Sequence, residues 1–364
     1  MNLRRVAAVI TKETYEIIRD PVTVGIAAIM PLMMLFLFGY AISLDIENVP
    51  FGVLDNDQSP ASRALVDRFP NSGYFRFKQA FRSEAEAKRS LHRGEIKLVL
   101  VIPPRFHARI ERQEAPPVQL LVDGTFSSTA VLVAGYAQSI MASANRKGTP
   151  QIIVETRIWY NPELRSVNYV VPGLFGVILM AFPPLLTTLA VVREKETATV
   201  QQIFASPLTR SEFLAGKLVP YGVIAFAEIV TVILAAVLWF DVPTRGNLGI
   251  LLPAGLIYVF CTVGMGLLVS TFTQNQLIAM LMSIMVTLMP SFLFSGFLFP
   301  VFTMPLVMQL YARIFPAAFF VDLSRGVVLK GSGLADLWPA ILVLFVYTIV
   351  VFALAVWRFK KKVA

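Results

Sequence analysis

Between Arg245 and Arg313 the chain carries no Asp, Glu, Lys, Arg or His, and a soluble fold has no place for such a run. A helix crossing a hydrocarbon core needs about 20 mostly apolar residues, so this stretch is too long for one crossing. The polar cluster Thr273-Gln274-Asn275-Gln276 is its natural fold point, with an apolar segment of spanning length on each side. Further uncharged runs lie between Asp20 and Asp45, between Arg165 and Arg193, and over 337–357; one between Lys217 and Asp241 is broken only by Glu228. Six spans follow, near 22–44, 170–192, 218–240, 249–271, 277–299 and 338–358.

Composition agrees. Of 364 residues, 56% are hydrophobic and only 15% charged, and the mean hydropathy is +0.67; soluble domains carry about a quarter charged residues. The net charge of +9 does not point to nucleic acid, because the basic residues sit in tight groups beside the apolar runs. That distribution is the signature of membrane orientation. Cys261 is the only cysteine, so no intrachain disulfide can form. His92 and His107 have no metal-ligand spacing, and the chain is expected to bind no cofactor itself.

Basic residues set the topology. Arg4, Arg5, Lys12 and Arg19 precede the first span, Arg193, Lys195, Arg210 and Lys217 follow the second, and Arg358, Lys360, Lys361 and Lys362 close the chain. The positive-inside rule therefore places both termini, the 193–217 loop and the 273–276 turn in the cytoplasm. Residues 1–21 read as an amphipathic helix along the cytoplasmic interface, with Leu3, Val6, Ile10, Thr14 and Ile17 on one face. The 359–364 tail is basic and cytoplasmic.

Residues 45–169 form a polar insert, external by this topology. Strand-like 49–54, 74–81, 96–102, 118–122 and 152–159 alternate with helical 59–69, 83–93 and 127–146, which argues a small α/β domain. Asp55, Asp57 and Asp123 follow strand ends, where α/β folds often place ligands; the plainer reading, turn chemistry and helix capping, is preferred. The fold class is thus an α-helical polytopic membrane protein: six transmembrane helices, an inserted external α/β domain, and a Pro-broken apolar segment over 300–337 read as re-entrant helices before the last span. Asp322 and Arg325 in that segment are spaced to pair on one helix face. Pro183-Pro184 should interrupt the backbone ladder of the second span and kink the helix.

Two features bear on function. Glu228 lies midway along the third span, where an ionisable group must face a helix interface or an aqueous path; it is either a transport-pathway contact or a hydrogen-bonded structural carboxyl. The 193–217 loop is charged and turn-punctuated, with a helical stretch at 193–205, a Ser206-Pro207 stop, and a Thr209-x-x-Glu212 capping box opening a second helix. It offers a handle for a cytoplasmic partner. Gly216-Lys217 does not make a phosphate-binding loop, since Leu218 follows and Ser211 stands at the first glycine position.

Taken in order, Val53-Leu54-Asp55-Asn56-Asp57, Val122-Asp123-Gly124, Tyr160-Asn161-Pro162, Arg193-Glu194-Lys195-Glu196, Ser206-Pro207 and Gly216-Lys217 resemble the type-2 ABC exporter permeases that carry a large external domain after the first span. Ala198 departs from the family's usual glycine. The resemblance covers essentially the whole chain and implies a permease of the bacterial inner membrane that moves small amphipathic molecules or drugs outward. It implies two ABC ATP-binding subunits, a second permease copy or paralogue, and ATP held on the partner. Thr209, Ser211, Glu212, Phe213 and Lys217 would then lie in the coupling region, and the external domain could meet a periplasmic adaptor. Residue chemistry alone leaves two competitors: an ion-driven secondary transporter using Glu228, and a membrane-anchored sensor or scaffold.

Overall fold

The computed structural model describes residues 2–42, 48–93, 95–112, 114, 116–123, 127–144, 165–197, 207–299, 301 and 304–359. The expected strand at 152–159, residues 160–162, the helical stretch beyond Thr197, and the tail from Lys360 lie outside them. Two units emerge: a helical unit of Met1–Ser43 with Ile158–Ala364, and an inserted unit of Leu44–Arg157.

Helix α1 (Leu3–Arg19) starts at Asn2, whose side chain accepts the Arg4 N–H. Its buried face is Val6, Val9, Glu13 and Ile17, so a carboxylate stands in an apolar stripe. Asp20 ends α1 and also caps α2 (Pro21–Ala41), accepting the Val22 and Thr23 N–H groups ahead of a Pro at the first helical position.

The inserted unit runs β1 (Val49–Asp55), α3 (Pro60–Asn71), β2 (Phe75–Ala80), α4 (Glu84–His92), β3 (Leu98–Ile102), α5 (Phe106–Glu111), β4 (Gln119–Val122) and α6 (Ser127–Ala144). Sheet order is β2-β1-β3-β4; β1 pairs in parallel with β2 and β3, while β4 closes antiparallel on β3. Parallel neighbours require crossovers, which α3 and α4 supply. Phe51, Val53, Leu98 and Leu100 pack with α3 and α6 residues on one face, and Leu54, Val99, Phe81 and Ala87 on the other. Both faces being covered explains the continuous apolar reading of β3.

In the helical unit follow α7 (Ser166–Glu196), α8 (Arg210–Leu238), α9 (Leu248–Ser270), α10 (Gln276–Phe294, with a π-helical turn at Ile284–Leu288), α11 (Leu306–Ile314), α12 (Pro316–Arg325, continuing as a π turn to Lys330) and α13 (Leu334–Arg358). Six of the helices, α2, α7, α8, α9, α10 and α13, are long and apolar enough to cross a membrane. Helices α11 and α12 meet at an 84° bend, the broken geometry expected of the 300–337 segment. Helix α7 is the axis of the unit: 78% of its apolar window is buried against 17% for α13, which fits a helix apolar on every side.

Helix α7 runs through Pro183-Pro184 as one element, although neither proline can donate to its backbone ladder. It continues to Glu196, and the Thr187 and Thr188 hydroxyls donate to the carbonyls of Pro183 and Pro184 at 2.7 Å each. Thr188 is also 2.9 Å from the carbonyl of Gly266, and a Cβ at Gly266 would lie 2.4 Å from the Pro184 oxygen. Close packing of α9 on this turn holds the helix through the proline pair.

A candidate coupling site at one end of the helical bundle

The Thr209-x-x-Glu212 box forms as the spacing requires. Thr209 Oγ1 accepts the Glu212 N–H at 3.3 Å, and Glu212 Oε2 accepts the Thr209 N–H at 3.0 Å. Glu212 has a second task, accepting the backbone N–H of Asn2 at 2.6 Å through Oε1. Arg5 donates to the Pro207 carbonyl at 2.6 Å. The start of α1 is thereby stitched to the start of α8.

Deeper in, Lys217 is fully buried. Its ammonium donates to Glu13 Oε1 at 2.7 Å and lies 3.0 Å from Glu194 Oε2. Lys12 bonds Glu194 and stands 3.2 Å from Glu13 and 2.9 Å from Glu16. Burial opposes the charged form of Glu13, but the ammonium of Lys217 and then that of Lys12 outweigh it and hold the carboxyl below its ordinary range. Burial likewise opposes the charge on Lys12, and Glu194, Glu13 and Glu16 together hold it protonated beyond its ordinary range. The carboxylates of Glu13, Glu16 and Glu194 converge within 4.8 Å, a grouping that could suit a cation; here the Lys12 ammonium fills that role.

Each charge of Arg193-Glu194-Lys195-Glu196 addresses a different neighbour. Arg193 pairs with Asp20 at 2.8 Å, and that hydrogen bond, with those from Thr23 and Val22, holds the Asp20 carboxyl at about 2 against the penalty of burial. Glu194 meets α1 and α8. Lys195 donates to the Ser270 and Thr273 carbonyls at 2.5 and 3.2 Å. Glu196 accepts from the N–H of Gln276 at 2.8 Å and from its side chain. One end of α7 thus holds α1, α2, α8 and the α9–α10 turn.

Residues 22–357 match the family model described as ABC-2 family transporter protein. The chain belongs to the ABC-2 transporter family. It is the membrane-spanning permease subunit of an ABC exporter. Relatives include, in Escherichia coli strain K12, the "Probable multidrug ABC transporter permease YbhS", 35% identical over 91% of this chain and 90% of its own length. "Probable multidrug ABC transporter permease YbhR" of the same strain is 30% identical over 99% of each chain. "Inner membrane transport permease YhhJ", also of Escherichia coli strain K12, is 26% identical over 86% of each.

The structure of the permease divides the five sequence-singled residues. Thr209 is exposed and Ser211 half-buried, with their hydroxyls 3.2 Å apart. Glu212, Phe213 and Lys217 point inward: Phe213 packs on Phe359 with ring centroids 5.5 Å apart, and its ring lies 5.3 Å from the Lys217 ammonium. Glu228 stands apart from the cluster, three turns further along α8 and only 4% exposed. Neither of its carboxylate oxygens has a hydrogen-bond partner among the described residues. Sequence reading missed Glu13 and Glu194 as buried partners of Lys217. The available signal was the place of Glu13 within the Val6, Val9, Ile17 stripe.

Two other expectations meet the structure differently. Arg325 does not form an ion pair with Asp322; its guanidinium goes to backbone carbonyls, and Asp322 is exposed. Asp55 is used in turn chemistry, accepting from the Asp57 and Gln58 N–H groups and the Ser62 hydroxyl. Asp57 accepts the His107 N–H at 3.0 Å, and Asp123 pairs with Lys97 at 2.6 Å.

Proposed function

We propose that this permease works as one half of an inner-membrane pump for small amphipathic molecules, driven by a separate ATP-binding subunit gripping the 207–211 surface. The observation that carries this reading is the buried Glu13–Lys217–Glu194 lock. It makes α1, the end of α7 and the start of α8 one rigid body behind an exposed Thr209–Arg210 rim. A push on that rim is carried inward by Glu212, Phe213 and Lys217, because a salt-bridged, packed unit moves rather than deforms. Both termini and this end of the bundle face the cytoplasm in this reading, as the basic residues of α1 and of the chain's end require. Two ATPases and a second permease, copy or paralogue, complete the pump. ATP resides on the partner, and the inserted unit is the surface for a periplasmic adaptor.

The names of YbhS and YbhR point to drugs as cargo, and Glu228 is the one carboxyl placed mid-span to meet a cationic part of it. The deciding experiment is reconstitution of the permease with its ATPase in vesicles. ATP-dependent accumulation of an amphipathic cation, absent with the permease alone under a proton gradient, is the expected result. Gradient-driven uptake by the permease alone would overturn the reading in favour of a secondary transporter.

A further inference from the structure

The end of the bundle opposite the charge cluster holds a second buried cation. Arg325, closing α12, is 8% exposed. It donates through Nη1 to the Gly296 carbonyl at 2.7 Å, through Nη2 to the Phe297 carbonyl at 3.0 Å and through Nε to the Tyr169 carbonyl at 3.2 Å. Its guanidinium also stacks 3.7 Å from the Tyr169 ring centroid. Gly296 and Phe297 lie just past the last turn of α10, and Tyr169 is in the first turn of α7. Arg325 therefore clamps the two residues that follow the C-cap of α10, close to the end where the helix dipole favours a cation. Gly173 makes room for it, since a Cβ there would lie 2.6 Å from Nη2 and 2.9 Å from the Phe297 ring.

The two helices that Arg325 joins are otherwise held very differently. Helix α12 is fastened to α7 and α9 directly: the Ser324 hydroxyl donates to the Pro172 carbonyl at 2.7 Å, and Phe320 stacks on Tyr258 with centroids 4.3 Å apart. Along α10, Ser283, Thr287, Ser291 and Ser295 recur every fourth residue and are all fully buried. The hydroxyls of Ser283, Ser291 and Ser295 have no partner among the described residues, and Thr287 bonds back to its own helix at Ser283. Among the described residues, no side-chain hydrogen bond joins α10 to α7 between Glu196–Gln276 at one end and Arg325 at the other. A π turn at Ile284–Leu288 interrupts the middle. The span is tied at its two ends and only packed between them.

We propose that Arg325 is a positioning residue for transport, a releasable pin that holds the far end of α10 against α7 and α12, and that its three carbonyl contacts break and re-form in each cycle. The proposal rests on the exporter reading for its cycle, but the resting pin can be tested without it. In full-length permease with Cys261→Ala, the sole native thiol is gone. Ser295→Cys then reports the pinned end of α10, and Ser270→Cys, the last residue of α9, the opposite end of the bundle, both positions being fully buried at rest. Maleimide labelling is followed in lipid nanodiscs, which leave both membrane faces accessible.

With Arg325→Met added, resting labelling at position 295 should rise roughly tenfold or more, the scale of losing hydrogen bonds to a charged donor, with no change at position 270. Arg325→Lys, which keeps the charge but not the fork, should fall between. Unchanged labelling at 295, or an equal rise at both positions, would overturn the pin, the latter because it signals general loosening. In the Arg325-intact protein with its ATPase, turnover should raise labelling at 295. Measured hydrolysis with no rise would overturn release during the cycle. Failure to export a drug, with the resting result intact, would count against the cargo and not against the pin.

Discussion

Lys217 and Glu13 lie 204 positions apart and meet at 2.7 Å, with both side chains 1% exposed. Desolvation of two such charges is recovered only while both are present, and Glu194 must share the same ammonium. Replacing Lys217 by Met leaves the buried carboxylates of Glu13 and Glu194 with Lys12, at the half-buried edge of the cluster, as their shared counter-charge. The expected loss is about 3–5 kcal/mol, read as a fall in melting temperature of the purified protein. Lys217→Met combined with Glu13→Leu should recover much of it, and a double-mutant cycle measures the coupling.

The close approach of α1 to α8 gives a steric test of the same contact. A Cβ at Gly216 would lie 2.5 Å from both Cβ and Cγ1 of Val9. Gly216→Ala should lower stability by about 1–3 kcal/mol through overpacking, despite the better helix propensity of Ala. Adding Val9→Ala removes the Cγ1 contact but keeps the Cβ one, so it should restore only part of the loss. If Gly216→Ala alone is neutral in a thermal melt, α1 is not seated on α8 as described.

Acid should loosen α1 and α2 from the bundle. Glu13 and Asp20 both titrate below their ordinary range when folded, Asp20 at about 2. A depressed carboxyl contributes stability that is complete above its unfolded value, about 3.9 for Asp and 4.3 for Glu. That contribution is lost as pH falls through the folded value. Melting temperature should therefore hold steady from neutral pH to about 5 and drop between about pH 4 and pH 2. Asp20→Asn should remove the part of that drop that Arg193 supports.

The proposed coupling role of the capping box can be tested apart from membrane insertion. Glu212→Ala removes the reciprocal cap of α8 and the acceptor for the Asn2 N–H together, and a cap alone is worth about 1 kcal/mol. Charge reversal at Glu212, or a proline placed within 211–215, should leave the permease in the membrane while ATP hydrolysis no longer drives export. Export and hydrolysis measured on the same vesicles check this; unchanged coupling would remove the segment from the transmission path.

Glu228 carries a contrasting prediction. A buried carboxyl without hydrogen-bond partners contributes nothing to stability by being there, so Glu228→Gln should leave the melting temperature unchanged or raise it. Export of a cationic amphiphile by the reconstituted pump should fall, while a neutral cargo is spared. A loss of stability with both cargoes equally affected would make Glu228 a structural residue.

How the chain's own pattern led to these positions differs by element. The spans were legible because lipid admits only runs with their backbone bonds satisfied internally, so an uncharged run such as 246–312 has one interpretation. The inserted unit was equally legible: β1, β3 and β4, with α3 and α4, fall where alternation and capping signals put them. Helix α5 was not foreseen, being only six residues long after Pro103-Pro104. Thr209 and Glu212 could be paired from their spacing because a capping box is a local device.

The partners of Lys217 could not be read that way. Sequence by itself determined the six apolar spans, the positive bias of one end, the absence of a phosphate-binding loop and the helix start at Thr209, since each depends on neighbours within a few residues. Only the tertiary structure decided where the charges of 193–196 point, that Glu13 turns inward to Lys217, and that Arg325 clamps the carbonyls just past α10 rather than pairing with Asp322. In an apolar interior a charge must find whatever partner the packing of distant helices brings within about 3 Å, and that distance is not written along the chain.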